Sequence, residues 1–318
     1  MKVLANDGIS KSGISILENA GFTVITNKVN QEDLINYINS EKIEVILVRS
    51  ATQVREDIIS SCPSLKIIGR GGVGMDNIDV EFARQNGLEV INTPAASSQS
   101  VAELVMGHLF SISRSIYDSN RNMPKAESGE FKSLKKKYAK GAELRGKTIG
   151  IIGFGRIGQF TAKYALGNGM KVIAFNPFIE KISISIEIAN QNIEVPITMC
   201  SMDNLLSESD YISLHVPMPK DGNALLSTNE FNKMKNGVRI VNAARGGVID
   251  EDALIEALKS GKVSDAALDV FVGEPNPRTD LISNEKIALT PHIGAATSEA
   301  QDRIGTELGN KIISFYKN

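Results

Sequence analysis

Tryptophan is absent from the 318-residue chain, cysteine occurs twice and histidine three times, and neither sign of charge prevails, with 35 Lys plus Arg against 37 Asp plus Glu. Each shortage removes a class of function. Cys62 and Cys200 stand far apart with no CxxC or Cys/His spacing, so neither a disulfide framework nor a zinc site is expected, and no metal. Both read as small packing residues. A net charge of -2 provides no broad cationic field for nucleic acid or an anionic membrane, so any anion must be gripped locally. No apolar run approaches the ~20 residues of a membrane span, and the opening MKVLANDGIS lacks the apolar core of a signal peptide, so a cytoplasmic protein is expected. The composition that remains, 42% hydrophobic and 23% charged, is that of a packed globular chain whose length favours two domains.

Short β-branched runs alternate with amphipathic segments from the start: Lys2–Ala5, Phe22–Thr26, Glu44–Val48, Leu65–Ile68 and Leu88–Ile91. Strands interleaved with helices pair in parallel, because a parallel neighbour needs a crossover. A second series runs through Thr148–Ile152, Lys171–Phe175, Tyr211–Leu214, Val238–Val241, Ala266–Leu268 and Ile287–Leu289. The expected fold is therefore α/β with two doubly wound parallel sheets. Between the series, Ser100 and Glu103 have the spacing of a capping box and open a long helix towards Arg121. Asn122–Gly146 is polar and Lys-rich, which reads as a functional or flexible loop and a domain boundary. A last helix, Ser298–Tyr316, follows the second series and could return to the first domain, making it discontinuous.

Gly153-Phe154-Gly155-Arg156-Ile157-Gly158 follows an apolar strand and opens a helical stretch, the context that turns a common glycine pattern into a dinucleotide-binding signal. The first glycine permits the tight turn, the second admits a diphosphate to the backbone, and the third lets helix pack on strand. The next strand should end in an acid that accepts from the adenosine ribose, but it ends in Asn176-Pro177. An amide lacks the charge that repels a 2′-phosphate. No arginine stands beside Asn176 to grip such a phosphate, so NAD is the expected cofactor.

Of the three histidines, His108 lies on the apolar stripe of the long helix and reads as a packing or domain-contact residue. His215, at a strand's carboxyl end before Val216-Pro217, has either a ligand-edge or a loop-structural role. His292 stands just past a strand in Thr290-Pro291-His292-Ile293-Gly294, and two charged groups hold equivalent positions after neighbouring strands: Arg245 in Ala243-Ala244-Arg245-Gly246-Gly247, and Glu274 in Gly273-Glu274-Pro275. Moving a hydride from a secondary alcohol requires its hydroxyl proton to leave, and an imidazole is suited to take it near neutral pH. A carboxylate on the other ring nitrogen fixes the tautomer. A guanidinium offers a planar donor fork to a substrate carboxylate.

In these residues the chain resembles the D-isomer-specific 2-hydroxyacid dehydrogenases, and it does so over nearly its whole length. The blocks that carry the resemblance are Leu47–Thr52, Gly69–Asp79, Gly153–Gly158, Val238–Glu251, Ala267–Pro275 and Pro291–Thr297. It implies a flavodoxin-like substrate domain made of residues 1–96 and 295–318, with a Rossmann NAD-binding domain, 97–294, inserted in it. It implies His292 as acid/base, Glu274 as its partner and Arg245 as substrate ligand. Cofactor contacts are implied at Val73, Gly153, Gly155, Arg156, Ile157, Gly158, Asn176, Val216, Pro217, Ala243, Ala244, Arg245, Asp269, His292, Gly294 and Ala295. Substrate contacts are implied at Arg49, Ser50, Gly72, Val73 and Gly74, with Lys136 and Lys137 of the run Lys135–Lys137, and Lys140, as candidates for a phosphate.

The branch most resembled oxidises 3-phospho-D-glycerate to 3-phosphohydroxypyruvate, opening serine biosynthesis. Two departures bear on that expectation: Ser97 stands where many relatives carry asparagine, and Asn176 replaces the usual acid. The alternative substrate is unphosphorylated hydroxypyruvate, glyoxylate or another 2-keto acid, and a reading of another class is a nucleotide-sensing, corepressor-like binding protein. The family habit implies a homodimer. The chain ends at Asn318, so no C-terminal regulatory domain is expected.

Overall fold

Runs such as Val45-Ile46-Leu47-Val48, in which every residue is buried, have no polar face to give to water, so the strands they form must be covered on both sides. The computed structural model describes residues 1–317 and meets that demand twice. Two compact units result, one from Met1–Ser100 and the segment that returns at Ala295, the other from Val101–Gly294.

In the first unit, β1 (Lys2–Ala5), β2 (Thr23–Ile25), β3 (Val45–Val48), β4 (Ile67–Arg70) and β5 (Glu89–Asn92) form an all-parallel sheet in the order β2-β1-β3-β4-β5. Alternate side chains serve opposite cores: Leu4, Ile46 and Val48 join one, Val3, Ala5, Val45 and Leu47 the other. The final helix, Ser298–Lys317, supplies Ile304, Leu308 and Ile312 to the second of these cores. It lies so close to helix Lys11–Asn19 that a Cβ on Gly13 would sit 2.8 Å from the Gly305 Cα, so glycine is what allows the helices to approach.

The second unit holds β6 (Thr148–Ile152), β7 (Lys171–Phe175), β8 (Lys181–Ile188), β9 (Gln191–Thr198), β10 (Tyr211–Leu214), β11 (Val238–Asn242), β12 (Val263–Leu268) and β13 (Ile287–Leu289). Six of these form a parallel sheet in the order β13-β12-β11-β10-β6-β7. The chain leaves β6 towards β7 on one side and later fills β10 on the other. That reversal opens a crevice at the carboxyl ends, where such sheets bind ligands.

Three features depart from the sequence expectations. The first is an antiparallel hairpin, β8 with β9, turned by Ala189 and Asn190, both with positive φ. Its alternation Ile182, Ile184, Ile186, Ile188 against Ile197, Val195, Ile193 buries Ile184 and Ile197 at the base and leaves Ile188 and Ile193 exposed at the tip. The second is Asn122–Gly146, which lies inside the second unit and is not a bare loop: helix Phe131–Lys137 folds there, with Tyr138 and Lys137 both bonded to Asp118 at 2.8 Å. The third is the long helix, which begins at Ser98, placing Ser100 in its first turn, and stops at Arg114 before Ser115 takes a left-handed φ of 50°. Glu103 accepts from the Tyr164 hydroxyl at 2.8 Å.

Candidate active site

The carboxyl edge of the second sheet gathers most of the expected site. The Gly153–Gly158 turn follows β6, Asn176 follows β7, Val216 and Pro217 follow β10, Ala243–Arg245 follow β11, Asp269 follows β12, and His292–Gly294 follow β13. Gly153 has φ +94°, and a Cβ there would lie 2.4 Å from the His215 carbonyl oxygen across the switch between β6 and β10. A Cβ on Gly158 would meet the Gly153 carbonyl oxygen at 2.3 Å, whereas one on Gly155 would meet nothing within 4 Å. The turn is therefore tight behind and open in front.

Helix Arg156–Gly167 starts at Gly155 with no side chain capping its first N–H groups, and His215 presents a buried Nδ1 without a protein partner. Burial pushes the His215 imidazole down to about 3, so it is neutral. Its Nε2 pairs with the Ser213 hydroxyl at 2.9 Å. Open amide donors at a helix start and an unanswered ring nitrogen fit a dinucleotide's diphosphate and sugar. Asn176 accepts from the Phe178 amide at 2.9 Å, so its carbonyl oxygen already closes a turn and retains one lone pair for a ribose.

The two residues expected as an acid–base pair are in contact. His292 Nδ1 lies 2.7 Å from Glu274 Oε2, and the other Glu274 oxygen accepts the Phe271 amide at 2.8 Å. Burial alone would raise the Glu274 carboxyl, but the His292 and Phe271 hydrogen bonds and the charges of His292 and Arg245 outweigh it and hold it below its usual value. It is ionised at neutral pH and can only accept. His292 Nδ1 therefore carries the proton, leaving Nε2 as the lone-pair atom.

Arg245 sits half-buried on a turn clamped by Asn242, whose side chain accepts the Ala244 amide at 3.0 Å and donates to the Arg245 carbonyl at 2.9 Å. The glycine after it is required by contact, since a Cβ on Gly246 would lie 2.0 Å from the Phe271 carbonyl oxygen. Asp269, expected at the cofactor, is bonded to a neighbouring loop of the second unit. Its carboxylate accepts from the Ile293 and Gly294 amides at 2.8 and 2.9 Å and from the Thr290 hydroxyl at 2.6 Å, all in the loop that carries His292.

In the first unit, Arg49 and Ser50 follow β3, and Gly72–Gly74 follow the adjacent β4, with Gly72 at φ +150° beneath the Arg70 guanidinium and Val73 exposed. Asp7 organises the Arg49 loop. Its carboxylate accepts from the Arg49 and Thr52 amides at 2.7 and 3.0 Å, the Thr52 hydroxyl at 2.7 Å and Lys28 Nζ at 2.5 Å. Burial works to raise the Asp7 carboxyl, and these donors lower it further than that. Asn77 holds the same loop through the Arg49 and Thr52 carbonyls. Lys28, Arg49 and Ser50 line one depression. Lys136 is exposed in the second unit on helix Phe131–Lys137, while Lys137 is spent on Asp118, which counts against it as a phosphate ligand. Ala295 begins the returning segment of the first unit.

Asp7, Lys28, Asn77 and Thr290 went unseen as site residues in the sequence because each acts on backbone or side chains far along the chain, and Asn242 because its bonds to Ala244 and Arg245 depend on the turn they close. Only Asn242 left a trace, as a polar residue ending an apolar strand. Among the described residues no cluster of His, Cys, Asp or Glu is arranged to hold a metal, and no helix is long and apolar enough to cross a membrane.

Residues 106–294 match the family model described as D-isomer specific 2-hydroxyacid dehydrogenase, NAD binding domain. The chain is 44% identical to a hydroxypyruvate reductase of Thermotoga maritima, covering 98% of this chain and 97% of that protein. It is 40% identical to a D-3-phosphoglycerate dehydrogenase of Archaeoglobus fulgidus, covering 100% of this chain and 58% of that longer protein. It spans little more than half of the other phosphoglycerate dehydrogenases it matches as well. An NAD complex of a formate dehydrogenase from Staphylococcus aureus superposes with a TM-score of 0.81 at 27% identity, covering 99% of this chain and 96% of that one.

Proposed function

The chain belongs to the D-isomer-specific 2-hydroxyacid dehydrogenases, an NAD-dependent oxidoreductase family, and on that footing we propose that it interconverts 3-phospho-D-glycerate and 3-phosphohydroxypyruvate. NAD, when bound, takes up or returns the hydride of the alcohol carbon. The protein's own residues do the rest. His292 Nε2 receives the hydroxyl proton, and Glu274, held ionised, keeps Nδ1 protonated and stabilises the imidazolium that forms. Arg245 grips the substrate carboxylate with its donor fork and polarises the reacting oxygen. The turn Gly153–Gly158, the amide of Asn176 and the neutral His215 hold the dinucleotide.

The observation that carries the phosphorylated substrate is the depression in the first unit, where Arg49 and Lys28 set two cations against the single carboxylate of Asp7. An excess positive charge suits a phosphate. We assign the first unit to substrate binding and the chain to a homodimer, supported by the apolar side chains of Phe110, Ile116, Met123 and Phe131 left exposed on the second unit. A second reading, reduction of unphosphorylated hydroxypyruvate, is favoured by the 44% identity to a reductase of matching length. The two separate in one assay: kcat/KM for 3-phosphohydroxypyruvate and for hydroxypyruvate, followed by nicotinamide absorbance. The phosphate should raise kcat/KM by about 10-fold or more, as a charge-assisted contact of ~1.5–3 kcal/mol implies; equal values reject the phosphorylated substrate. Arg49→Glu should abolish the advantage while sparing the unphosphorylated acid.

A further inference from the structure

His108 is 5% exposed and sits on the long helix, outside the groups proposed to touch substrate or cofactor. Its Nε2 lies 3.0 Å from the Thr290 hydroxyl oxygen, which is in turn 2.6 Å from Asp269 Oδ1. Asp269 is 1% exposed, and its two oxygens take the amides of Ile293 and Gly294, the two residues that follow His292. His292 itself has φ +53°, a left-handed conformation that a non-glycine residue keeps only when its surroundings impose it.

The direction of the chain of bonds follows from valence. An ionised carboxylate only accepts, so the Thr290 hydroxyl gives its one hydrogen to Asp269, and its oxygen must accept from His108 Nε2–H. The neutral Nε2–H tautomer is thereby selected, in keeping with the burial that lowers His108 below its usual value against the opposing charge of Asp269. Each bond polarises the next in a buried setting. Two backbone amides bonded to one carboxylate hold the left-handed turn.

We propose that His108 is a positioning residue for the proton transfer: through the Thr290 hydroxyl it anchors Asp269, which grips the Ile293 and Gly294 amides and so fixes the backbone that presents His292 to Glu274 and the substrate. This rests on His292 being the acid/base. It assigns His108 more than the packing role its helical stripe implies, and it gives Asp269 a part in holding the loop.

The test is a set of variants assayed for kcat, for KM of NAD and for thermal midpoint. His108→Leu keeps the volume and removes the donor; it should lower kcat about 10-fold, the loss expected for one hydrogen bond in a charged buried network, with the KM of NAD within about twofold. His108→Gln, which can place an N–H near the Nε2 position, should recover most of that loss. Equal kcat in the two variants, or an unchanged kcat in His108→Leu, overturns the proposal. Should His108→Leu fail to fold, Thr290→Val against Thr290→Ser asks the same question, since only valine severs the chain. In the Thr290→Val background His108→Leu should cost less than about twofold further, whereas additive losses would mean that His108 acts by another route. His292→Ala, run alongside, separates the outcomes: if it retains activity, the acid/base assignment has failed, independently of how the His108 variants behave.

Discussion

At the scale of single residues, function turns on which atoms are already occupied. Glu274 spends both oxygens, one on Phe271 and one on His292, so its charge is present wherever the imidazole has to work. His292→Ala should lower kcat by about 10² to 10⁴ while leaving NAD affinity within about twofold in a binding titration, because the proposed general base stands apart from the turn proposed to hold the diphosphate. At the far edge of the same sheet, Asn176→Asp should shift the NAD/NADP preference in kcat/KM towards NAD by about tenfold, the effect of ~1.4 kcal/mol of repulsion on a 2′-phosphate. An unchanged ratio would remove Asn176 from the ribose. In the first unit, Asp7 is held below its ordinary 3.8 in the fold. A depressed carboxyl contributes stability that is present above the unfolded value and disappears as pH falls through the folded one. Asp7→Asn should therefore lower the urea midpoint at pH 7, and the gap from the parent should close as the pH is taken below about 4.

Elements transmit these positions through contacts too close for a methyl group. Gly246 backs directly onto the Phe271 carbonyl, and Phe271 in turn holds Glu274. Gly246→Ala should push that loop outwards, costing about 1–3 kcal/mol of stability and lowering kcat by up to about 10² through a displaced Glu274. A variant with the parent's kcat would show the loop to be indifferent to its backing. The hairpin β8–β9 offers a contrast within one element. Ile184→Ala opens a cavity at its buried base and should cost about 2–5 kcal/mol, while Ile188→Ser at the exposed tip should change the urea midpoint by less than about 0.5 kcal/mol equivalent.

The same elements explain what was legible beforehand. Buried parallel strands announce themselves as unbroken apolar runs, and Thr148–Ile152, Lys171–Phe175 and Tyr211–Leu214 appear with the bounds expected of them. The hairpin had an equally plain signal in Lys181–Ile188, isoleucines at every second position, but it interrupts the strand–helix rhythm that framed its neighbours. Helix Phe131–Lys137 buries none of its residues, so no apolar stripe distinguishes it from a loop. His292, Glu274 and Arg245 could be found because each polar group follows a strand beside a glycine or proline. The link from His108 to Thr290 spans 182 positions and depends on side-chain direction, which leaves no local pattern.

For the whole molecule, the consequence of two separately cored units is that a ligand held by one should stabilise that one. NAD at ~100 times its dissociation constant adds about 2.7 kcal/mol to the state that binds it. Hydrogen exchange followed by mass spectrometry should accordingly slow in β6, β10 and β11, whose carboxyl ends surround the proposed dinucleotide site, far more than in β1 and β3. Uniform slowing across both sheets would mean that the two open as one cooperative body, and slowing confined to the first would place the cofactor in the wrong unit.

The returning helix has a cost in time. Ile304, Leu308 and Ile312 cover a face made largely by Val3, Val45, Leu47 and Ile67, yet the whole second unit is translated between them. At ~5–20 residues per second, the roughly 200 intervening residues take about 10–40 s to emerge from a ribosome. For that interval every newborn chain carries an uncovered oily patch, and it becomes the natural point of engagement for a chaperone that grasps the nascent polypeptide until its last turns arrive.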